Sequence, residues 1–293
     1  MLGQIAATLN WAAVSSVEST TYKKSAGSCR EVDNAKGSIV VSIFDKIRWL
    51  SKWRLGGGRD LIIIDRRKLY EVYEHAHLTR LLHHLNVDCV FDIGANQGQY
   101  AEMLRKKTGF TGYIFSFEPN PSDASVARKR AHGDAKWIIS EIAISEVDGT
   151  ADFNVMRSSE FSSLSVPSHV DVQLFRGMNV VQQTITVNTE RLETTLRRLQ
   201  AQYGIKRPFL KMDTQGYDVK IVKASANIVR EFVGLQSELA IAKLYTDSID
   251  FRDAITLYER CGFSLSAFIP NNAGHFPRLI ETDCVMVRSD LAN

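Results

Sequence analysis

VFDIGANQGQY, residues 90 to 100, is the most informative stretch of this chain. An apolar run ends at Asp92, Gly94, Asn96 and Gly98 follow it, and apolar residues then recur at helical spacing from Tyr100. The pattern predicts a buried strand, a tight turn and the start of a helix. Because glycine has no Cβ atom, we expect a ligand to lie against the backbone of the turn, where the helix N-terminus offers unpaired N–H groups. The stretch therefore predicts a cofactor site.

A second acid indicates which cofactor this site binds. Glu118, in FSFEPNP, ends another apolar run and lies 24 residues after Gly94, close to the interval at which a second-strand acid binds ribose hydroxyls. Pro119 and Asn120 follow it, and the prolines around Glu118 make a rigid turn. The glycine spacing departs from the G-x-G-x-x-G fingerprint that cradles a pyrophosphate, which disfavours a nicotinamide oxidoreductase. A ribose site without a pyrophosphate cradle predicts S-adenosylmethionine.

Four motifs in this order resemble the FkbM family of S-adenosylmethionine-dependent methyltransferases. They are DIGANQGQY, FEPNP, KMDTQGYD (Lys211 to Asp218) and RLIETDCVMVR (Arg278 to Arg288), and the resemblance covers roughly residues 75 to 288. It implies an α/β class I methyltransferase fold, which is Rossmann-like, with a mostly parallel seven-stranded sheet and an antiparallel C-terminal hairpin. It also implies O-methylation, often of sugar hydroxyls on polysaccharides, glycolipids or natural products.

The resemblance extends the predicted cofactor site beyond the first two strands. Glu141 and Ile142 follow a third apolar run, where class I methyltransferases usually contact adenine, although a plain core role for Ile142 is an equal alternative. Asp213, at the end of a fourth strand, is expected near the sulfonium. The predicted cofactor-binding residues are therefore Asp92, Gly94, Asn96, Gly98, Glu118, Pro119, Asn120, Glu141, Ile142 and Asp213.

The motif LKMDTQG places charges in a strand that is otherwise apolar. Lys211 and Asp213 are two residues apart and so share one face of the strand, where a buried charge is costly unless it is paired. A neutralising pair is one interpretation, and a catalytic Asp213 beside the acceptor hydroxyl is the other. Where the family commonly has Glu, this chain has Gln215, which removes a carboxylate and puts a base role at this position in doubt.

An alcohol is a weak nucleophile, so methyl transfer to a hydroxyl calls for a general base. The candidates, in order, are Asp213, Glu238 and His275. Glu238 ends the fifth strand beside Asp213, so the two acids could share the base role or hold a divalent cation. A structural acid paired with a lysine is the alternative for Glu238, and we predict no metal site. The Ser-rich loop 158–168 is a candidate sugar contact, with an ordinary polar loop as the alternative.

Composition narrows the class of protein and its surroundings. The chain has 293 residues, 44% of them hydrophobic, and a net charge of +3, which is too small to indicate a nucleic-acid partner. Its four cysteines form no C-x-x-C pair, and Cys89 and Cys284 lie in apolar runs as core thiols. No apolar run approaches the ~20 residues of a membrane span. These features predict a cytoplasmic protein.

Three regions are expected along the chain. Residues 1–38 are rich in Ser, Thr and Ala and are predicted to be a disordered or weakly ordered leader. Residues 39–86 are predicted to be a helical extension packed on the methyltransferase domain, which we place at 87–290. Within the extension, residues 40–54 place apolar and basic side chains at helical spacing. We prefer a helix packed on the domain, and peripheral contact with an anionic membrane is the alternative.

The sequence thus predicts an O-methyltransferase that uses S-adenosylmethionine and a carbohydrate or glycolipid acceptor. A module that binds S-adenosylmethionine without catalysis is the alternative motivated by Gln215, and a methyltransferase for a non-sugar small molecule is another. Nucleic-acid base methylation is disfavoured, because the fourth strand ends in Met212-Asp213-Thr214-Gln215 and lacks an Asn/Asp-Pro-Pro-aromatic motif.

Overall fold

A computed structural model describes residues 69–166, 180–242, 245, 248–270 and 277–292. The architecture below refers to these residues.

Several sequence predictions fall on the remaining residues. The leader 1–38, the amphipathic segment 40–54 and the candidate base His275 lie outside the described part of the chain, as does the end of the Ser-rich loop from residue 167 onward. The proposed domain boundaries stay predictions.

Ten strands and six α-helices alternate along the described chain. The strands are β1 (Cys89–Ile93), β2 (Tyr113–Phe117), β3 (Trp137–Ser140), β4 (Ala143–Ser145), β5 (Gly149–Met156), β6 (Val181–Arg191), β7 (Pro208–Met212), β8 (Gly234–Ala240), β9 (Phe263–Pro270) and β10 (Glu281–Arg288). The helices are α1 (Leu69–His84), α2 (Gln99–Met103), α3 (Pro121–Arg130), α4 (Leu192–Tyr203), α5 (Asp218–Ala224) and α6 (Phe251–Arg260). A π-helical turn, Leu104–Thr108, continues α2 and ends at Gly109.

Seven strands form the main sheet in the order β3-β2-β1-β7-β8-β10-β9. The first five of these pair in parallel, whereas β10 runs antiparallel to both β8 and β9. This confirms the predicted class I methyltransferase fold with its antiparallel C-terminal pair. The strand order reverses between β1 and β7, and ligands of open α/β sheets bind at the carboxyl ends of the strands at such a point.

Alternation along β1 divides the core between the two faces of the sheet. All five residues of the strand are buried. Cys89, Phe91 and Ile93 pack with one apolar cluster, while Val90 packs with another, because successive side chains of a strand point to opposite faces. Helix α1 contributes Leu78 to the second cluster. The central strand is thereby covered on both sides, as a parallel sheet requires.

A second, three-stranded sheet in the order β4-β6-β5 was not predicted. We expected one strand within residues 136–144, but β3 belongs to the main sheet and β4 pairs with β6 in the small sheet. The apolar residues of the two strands are nearly continuous in sequence, so their pattern does not reveal that Glu141 and Ile142 separate two different pairing partners.

The described helices are all too short or too polar to cross a lipid bilayer.

Candidate active site

Glu118 follows β2 and is held by the turn after the neighbouring strand. Its Oε2 accepts the backbone N–H of Asn96 at 2.7 Å, and its Oε1 accepts the backbone N–H of Asn120 at 2.8 Å. The side chain is only 6% exposed. Burial raises the pKa of Glu118 to about 7, although the two backbone N–H groups partly oppose this shift. The acid predicted from its spacing therefore lies beside the turn that follows β1.

Gly94 and Gly98 are required by the protein's own packing. An added Cβ at Gly94 would lie 2.0 Å from the backbone oxygen of Asp213, and one at Gly98 would lie 2.8 Å from the indole ring of Trp137. Both glycines also have positive φ, 74° and 84°. The carbonyl of Asp213, just after β7, and the indole of Trp137 therefore occupy the space of the missing Cβ atoms, while a ligand against the backbone of Gly94, which lines one of the cavities below, stays a prediction.

The N–H groups of this turn are engaged within the protein. From residue 94 to residue 98, every backbone N–H has an acceptor within the described protein. Gly94 and Ala95 donate to the carbonyl of Phe117, Gln97 donates to the side chain of Asn96, and Gly98 donates to Ala95. The turn thereby holds Glu118 and β2 in register. The donors that the sequence predicted belong to the first turn of α2, which begins at Gln99 without a side-chain cap at Gly98, and their role toward a ligand stays a prediction.

A small apolar cavity of about 40 Å³ lies beside Glu118. We call it the donor cavity. Its walls are the carboxyl ends of four strands together with side chains of the small sheet and its following loop, and it is lined by Ile93, Gly94, Phe117, Glu118, Pro119, Ala143, Ile144, Phe153, Ser162, Leu164, Asp213, Thr214 and Tyr217. Ala143 belongs to the segment that the resemblance placed near adenine, whereas the sequence analysis missed Ile144, Phe153 and Leu164, since their contribution depends on the unpredicted second sheet.

Four of the ten predicted cofactor residues line the donor cavity, and six do not, namely Asp92, Asn96, Gly98, Asn120, Glu141 and Ile142. Glu141 is exposed and pairs with Arg128 at 2.7 Å, and Ile142 packs against the main core. Asn120 caps α3, because its side chain accepts the N–H of Ser122. The site roles predicted for these side chains stay predictions, and their geometry favours structural functions.

Residues 158–166 border the donor cavity through Ser162 and Leu164, and we call them the strap. Asn96 donates its side-chain amide to Ser159 Oγ at 3.1 Å. The Ser163 hydroxyl lies 2.8 Å from the carbonyl oxygen of Thr214 and 3.0 Å from that of Gln215. The Tyr245 hydroxyl lies 2.8 Å from the carbonyl of Phe161. The Ser-rich loop is therefore tied to both turns that flank the cavity.

The ammonium group of Lys211 lies between the carboxylates of Asp92 and Asp213. Its Nζ is 3.4 Å from Asp213 Oδ2 and 3.7 Å from Asp92 Oδ1, and it lies 5.1 Å from the ring centroid of Tyr100. Burial by itself would lower the pKa of Lys211, but the nearby carboxylates outweigh it and raise the pKa. Burial raises the pKa of Asp92, which is fully buried and also accepts the hydroxyl of Ser116 at 2.9 Å. The predicted neutralising pair is present and includes a third member, Asp92.

Lys211→Met should destabilise the protein by about 3–5 kcal/mol, since it leaves the buried carboxylate of Asp92 without its cation. Urea unfolding measures the loss. Lys206→Met, at an exposed lysine, is the matched control and should change stability by less than about 0.5 kcal/mol. The double variant Lys211→Met with Asp92→Asn should recover part of the loss, and an equal cost for single and double variants would contradict this account.

Gln215 joins the two acids that were predicted as bases. Its Nε2 donates to Asp213 Oδ1 at 2.9 Å and to Glu238 Oε2 at 3.0 Å. Its Oε1 lies 3.0 Å from the hydroxyl of Tyr245. The side chain is 9% exposed, and its backbone has a φ of 54°, which is uncommon for a residue other than glycine. The predicted neighbours Asp213 and Glu238 are thus brought together through an amide.

Glu238 lies in an acidic environment. Burial raises its pKa well above the usual value, and the carboxylates of Asp213, Glu281, Asp283 and Asp218 raise it further. Glu281 and Asp283 were visible in the sequence as charges at alternate positions of an apolar strand, but they were used there only as part of a family motif. Strand β10 places Asp283 directly opposite Glu238.

A larger cavity of about 650 Å³ opens above these acids. We call it the acceptor cavity. Eight carboxylates line it, and they are Glu71, Glu74, Glu102, Glu160, Asp213, Glu238, Glu281 and Asp283. Gly94 and Asp213 line both cavities, so the two spaces border each other between the ends of β1 and β7, and we call this border the junction.

The described residues contain no group of histidines, cysteines and acids arranged to hold a metal ion. The two acids considered as a cation pair, Asp213 and Glu238, share an amide donor. An N–H group directed at both carboxylates opposes a cation at the same position.

The pKa of Glu118 has a consequence for stability. Its value of about 7 in the folded protein lies above the ordinary 4.5, so protons bind more tightly in the folded state and the contribution of Glu118 to stability is lost as pH rises from about 4.5 to 7. We expect Glu118→Gln to reduce the fall in unfolding free energy between pH 5 and pH 8 by up to about 3 kcal/mol. Urea unfolding at the two pH values measures it, and identical pH dependence in both proteins would refute the assignment.

Comparison with known proteins agrees with this geometry. The sequence model of the Methyltransferase FkbM domain matches residues 92–265, which is more than half of the chain. The chain therefore belongs to the FkbM methyltransferase family. This confirms the resemblance inferred from the motifs and shows that the protein is a methyltransferase, and the family uses S-adenosylmethionine. No curated protein sequence matches the chain.

Among solved structures, the chain is similar to fibrillarin from Aeropyrum pernix with bound S-adenosyl-L-methionine, at 12% identity and a TM-score of 0.41 over 74% of this chain and 76% of that one. Methyltransferase FkbM from Methylobacillus flagellatus KT is 12% identical, with a TM-score of 0.42 over 68% of this chain and 44% of that one. Magnesium protoporphyrin IX methyltransferase from Synechocystis PCC 6803 is 9% identical, with a TM-score of 0.42 over 86% and 100%. These likenesses are too distant to support a conclusion about ligand or substrate.

Proposed function

We propose that the protein transfers the methyl group of S-adenosylmethionine to a hydroxyl oxygen of a carbohydrate carried on a glycolipid, a polysaccharide or a natural product. The observation that carries this proposal is the junction of the donor and acceptor cavities at Gly94 and Asp213. Methyl transfer needs a donor and an acceptor in direct contact, and the junction is the place where they can meet.

The residues of the donor cavity fit S-adenosylmethionine in their chemistry. Each oxygen of Glu118 accepts one N–H, and a carboxylate oxygen can accept more than one hydrogen bond, so capacity remains for ribose hydroxyls. Ala143, Ile144, Phe153 and Leu164 supply an apolar wall suited to a planar base. When bound, this donor supplies an activated methyl group on a positively charged sulfur.

Space in the donor cavity has to increase before a nucleoside can enter. A volume of about 40 Å³ accommodates little more than one water molecule. The strap forms part of the wall through Ser162 and Leu164, and its hydrogen bonds to Asn96, Asn154, Thr214 and Tyr245 would have to change for it to move. Displacement of the strap therefore accompanies donor entry in the proposed reaction.

The acceptor cavity suits a polyhydroxylated molecule. Its volume of about 650 Å³ lies within the range of about 300–1,000 Å³ that is common for small-molecule sites. Carboxylates accept hydrogen bonds from hydroxyl groups, and Tyr100 and Phe161 add aromatic surface. Holding one acceptor hydroxyl in line with the methyl group contributes up to ~7–11 kcal/mol to catalysis, and this alignment is the main task of the cavity.

The proposal is tested in two stages. Calorimetric titration with S-adenosylmethionine should show binding, and no binding at millimolar donor would sink the proposal. Radiolabelled methyl transfer to a panel of glycans, glycolipids and small alcohols should then identify the acceptor class. Mass spectrometry of glycans and glycolipids from a knockout strain should show the loss of one methyl group.

Different outcomes separate the alternatives. Donor binding without transfer to any acceptor of the panel would favour the non-catalytic module, and transfer to a small alcohol alone would favour a non-sugar substrate. For residues 40–54 we propose a helix packed on the domain, with peripheral membrane contact as the alternative, and binding of the full chain to anionic vesicles would favour that alternative.

A further inference from the structure

The amide of Gln215 lies between two carboxylates at the edge of the acceptor cavity. Both carboxylates that it binds line the acceptor cavity, and one of them, Asp213, also lines the donor cavity. All polar atoms of the side chain are engaged, with Asp213, Glu238 and Tyr245 as partners. A buried amide with every partner satisfied has one orientation, and so have the carboxylates that it holds.

The backbone at this position is also constrained. Gln215 adopts a positive φ, and Gly216 follows it with a φ of 86°. The hydroxyl of Ser163 lies within hydrogen-bond distance of the carbonyl oxygens of both Thr214 and Gln215. A left-handed residue other than glycine costs about 1–2 kcal/mol, and such strain persists where the surroundings impose it. The turn is therefore built to direct this side chain between the two acids.

The two acids have different surroundings. Asp213 lies 3.4 Å from the ammonium of Lys211. Glu238 is faced by carboxylates from three directions, namely Asp213 at the end of β7, Asp218 on α5, and Glu281 and Asp283 on β10. The hydroxyl of Tyr245 lies on the far side of the bridging amide. Like charges around a buried carboxylate raise its affinity for a proton, so the ionised form of Glu238 is a stronger base than an exposed carboxylate.

We infer that Gln215 is a positioning residue that holds Glu238 in the acceptor cavity, beside the Asp213 that borders both cavities, where Glu238 accepts the proton of the acceptor hydroxyl. The inference rests on the proposed function. In the transfer, the hydroxyl oxygen forms a bond to the methyl carbon, the hydroxyl proton passes to Glu238, and the electron pair of the broken carbon–sulfur bond stays on sulfur. Gln215 donates a hydrogen bond to Glu238 before the proton arrives, which keeps the carboxylate oriented without adding a charge.

Titration of Glu238 by carboxyl-¹³C NMR tests the positioning role without an acceptor. Glu238→Gln identifies the resonance. Gln215→Leu removes the donated hydrogen bond and should raise the midpoint of Glu238 by about one to two pH units. Gln215→Glu keeps the shape but adds a carboxylate, and it should also raise the midpoint. Gln200→Leu, which removes an amide contact to Glu231 on the surface, should leave it unchanged. An unmoved midpoint in both Gln215 variants overturns the inference.

Kinetics with an acceptor found by the transfer assay test the base role. In Gln215→Leu and Gln215→Glu, the acid limb of the pH profile of kcat should shift to higher pH together with the Glu238 midpoint. The donor Kd should change by less than about twofold. Glu238→Gln should lower kcat by about 10²–10⁴ with donor binding retained. A wild-type kcat in Glu238→Gln, or an acid limb that does not move, overturns the inference. Failure of the wild-type protein to bind the donor contradicts the proposed function instead, so the two failures are distinguishable.

Discussion

Replacing Glu118 by alanine should weaken binding of S-adenosylmethionine by about 100-fold or more. A charge-assisted hydrogen bond is worth about 1.5–3 kcal/mol, and two ribose hydroxyls on one carboxylate together exceed the roughly 2.7 kcal/mol that corresponds to 100-fold. The change also leaves the backbone N–H groups of Asn96 and Asn120 without their acceptor, so the turn loses its anchor. Calorimetric titration of the donor measures the effect.

The control for this experiment is the other acid predicted for the cofactor. Glu141→Ala removes a carboxylate that is exposed and paired with Arg128, so donor affinity should stay within about twofold of wild type. Glu118→Gln keeps the side-chain volume and separates loss of charge from loss of packing. If Glu141→Ala weakened binding as much as Glu118→Ala, the position assigned to the ribose would be wrong.

Gly94→Ala should abolish the native fold or cost more than about 4–5 kcal/mol of stability. The new Cβ would lie 2.0 Å from the backbone oxygen of Asp213, and the obstacle is the backbone of an adjacent turn, which has no rotamer with which to relieve the clash. The positive φ of Gly94 adds its own strain. Soluble yield and urea unfolding measure the loss.

Gly133→Ala is the matched control because it isolates the backbone cost. Gly133 has a φ of 88°, and a Cβ added there would meet nothing within 4 Å. We expect it to cost about 1–2 kcal/mol, the ordinary price of a left-handed residue with a side chain. An equal loss of stability in Gly94→Ala and Gly133→Ala would mean that the ends of β1 and β7 are not in close contact at Gly94. The position assigned to the junction of the two cavities would then be wrong.

The predictions for Glu118 and Gly94 both concern the turn after β1. Glu118 tests whether the turn after β1 serves the donor, and Gly94 tests whether the same turn is held against β7. The acceptor cavity depends on the second condition, since Gly94 and Asp213 form the boundary between the two spaces. A tightly held junction keeps the donor and acceptor aligned, which is where most of the catalytic benefit of this kind of reaction arises.

Local sequence patterns were sufficient for the main elements of the fold. Buried parallel strands read as apolar runs, and the glycines and prolines between them end each element, so β1, β2, β7 and β8 and the helices that follow them could be placed. The position of Glu118 followed from the same regularity, because an acid at the end of a second strand lies beside the turn after the first. The order of four motifs was enough to indicate the family.

Contacts between distant segments could not be obtained in this way. The small sheet joins β4 to β6, whose residues Ala143 and Thr189 are paired although 46 positions separate them. The roles of Ala143, Phe153 and Leu164 in the donor cavity depend on that pairing. Gln215 stood out in the sequence as a missing carboxylate, and its function as a bridge became visible only when Asp213, Glu238 and Tyr245 were brought around it.

Gly94 and Gly98 show which features follow from the local sequence and which depend on tertiary packing. Their positions and the need for a residue without a side chain were evident from the letters alone, because a tight turn with positive φ restricts the choice of residue. The groups that pack beside them were not evident, because the carbonyl of Asp213, just after β7, and the indole of Trp137, on β3, belong to distant parts of the chain. Short-range backbone preferences are encoded in neighbouring residues, whereas the partner across a gap is selected by the packing of the whole domain.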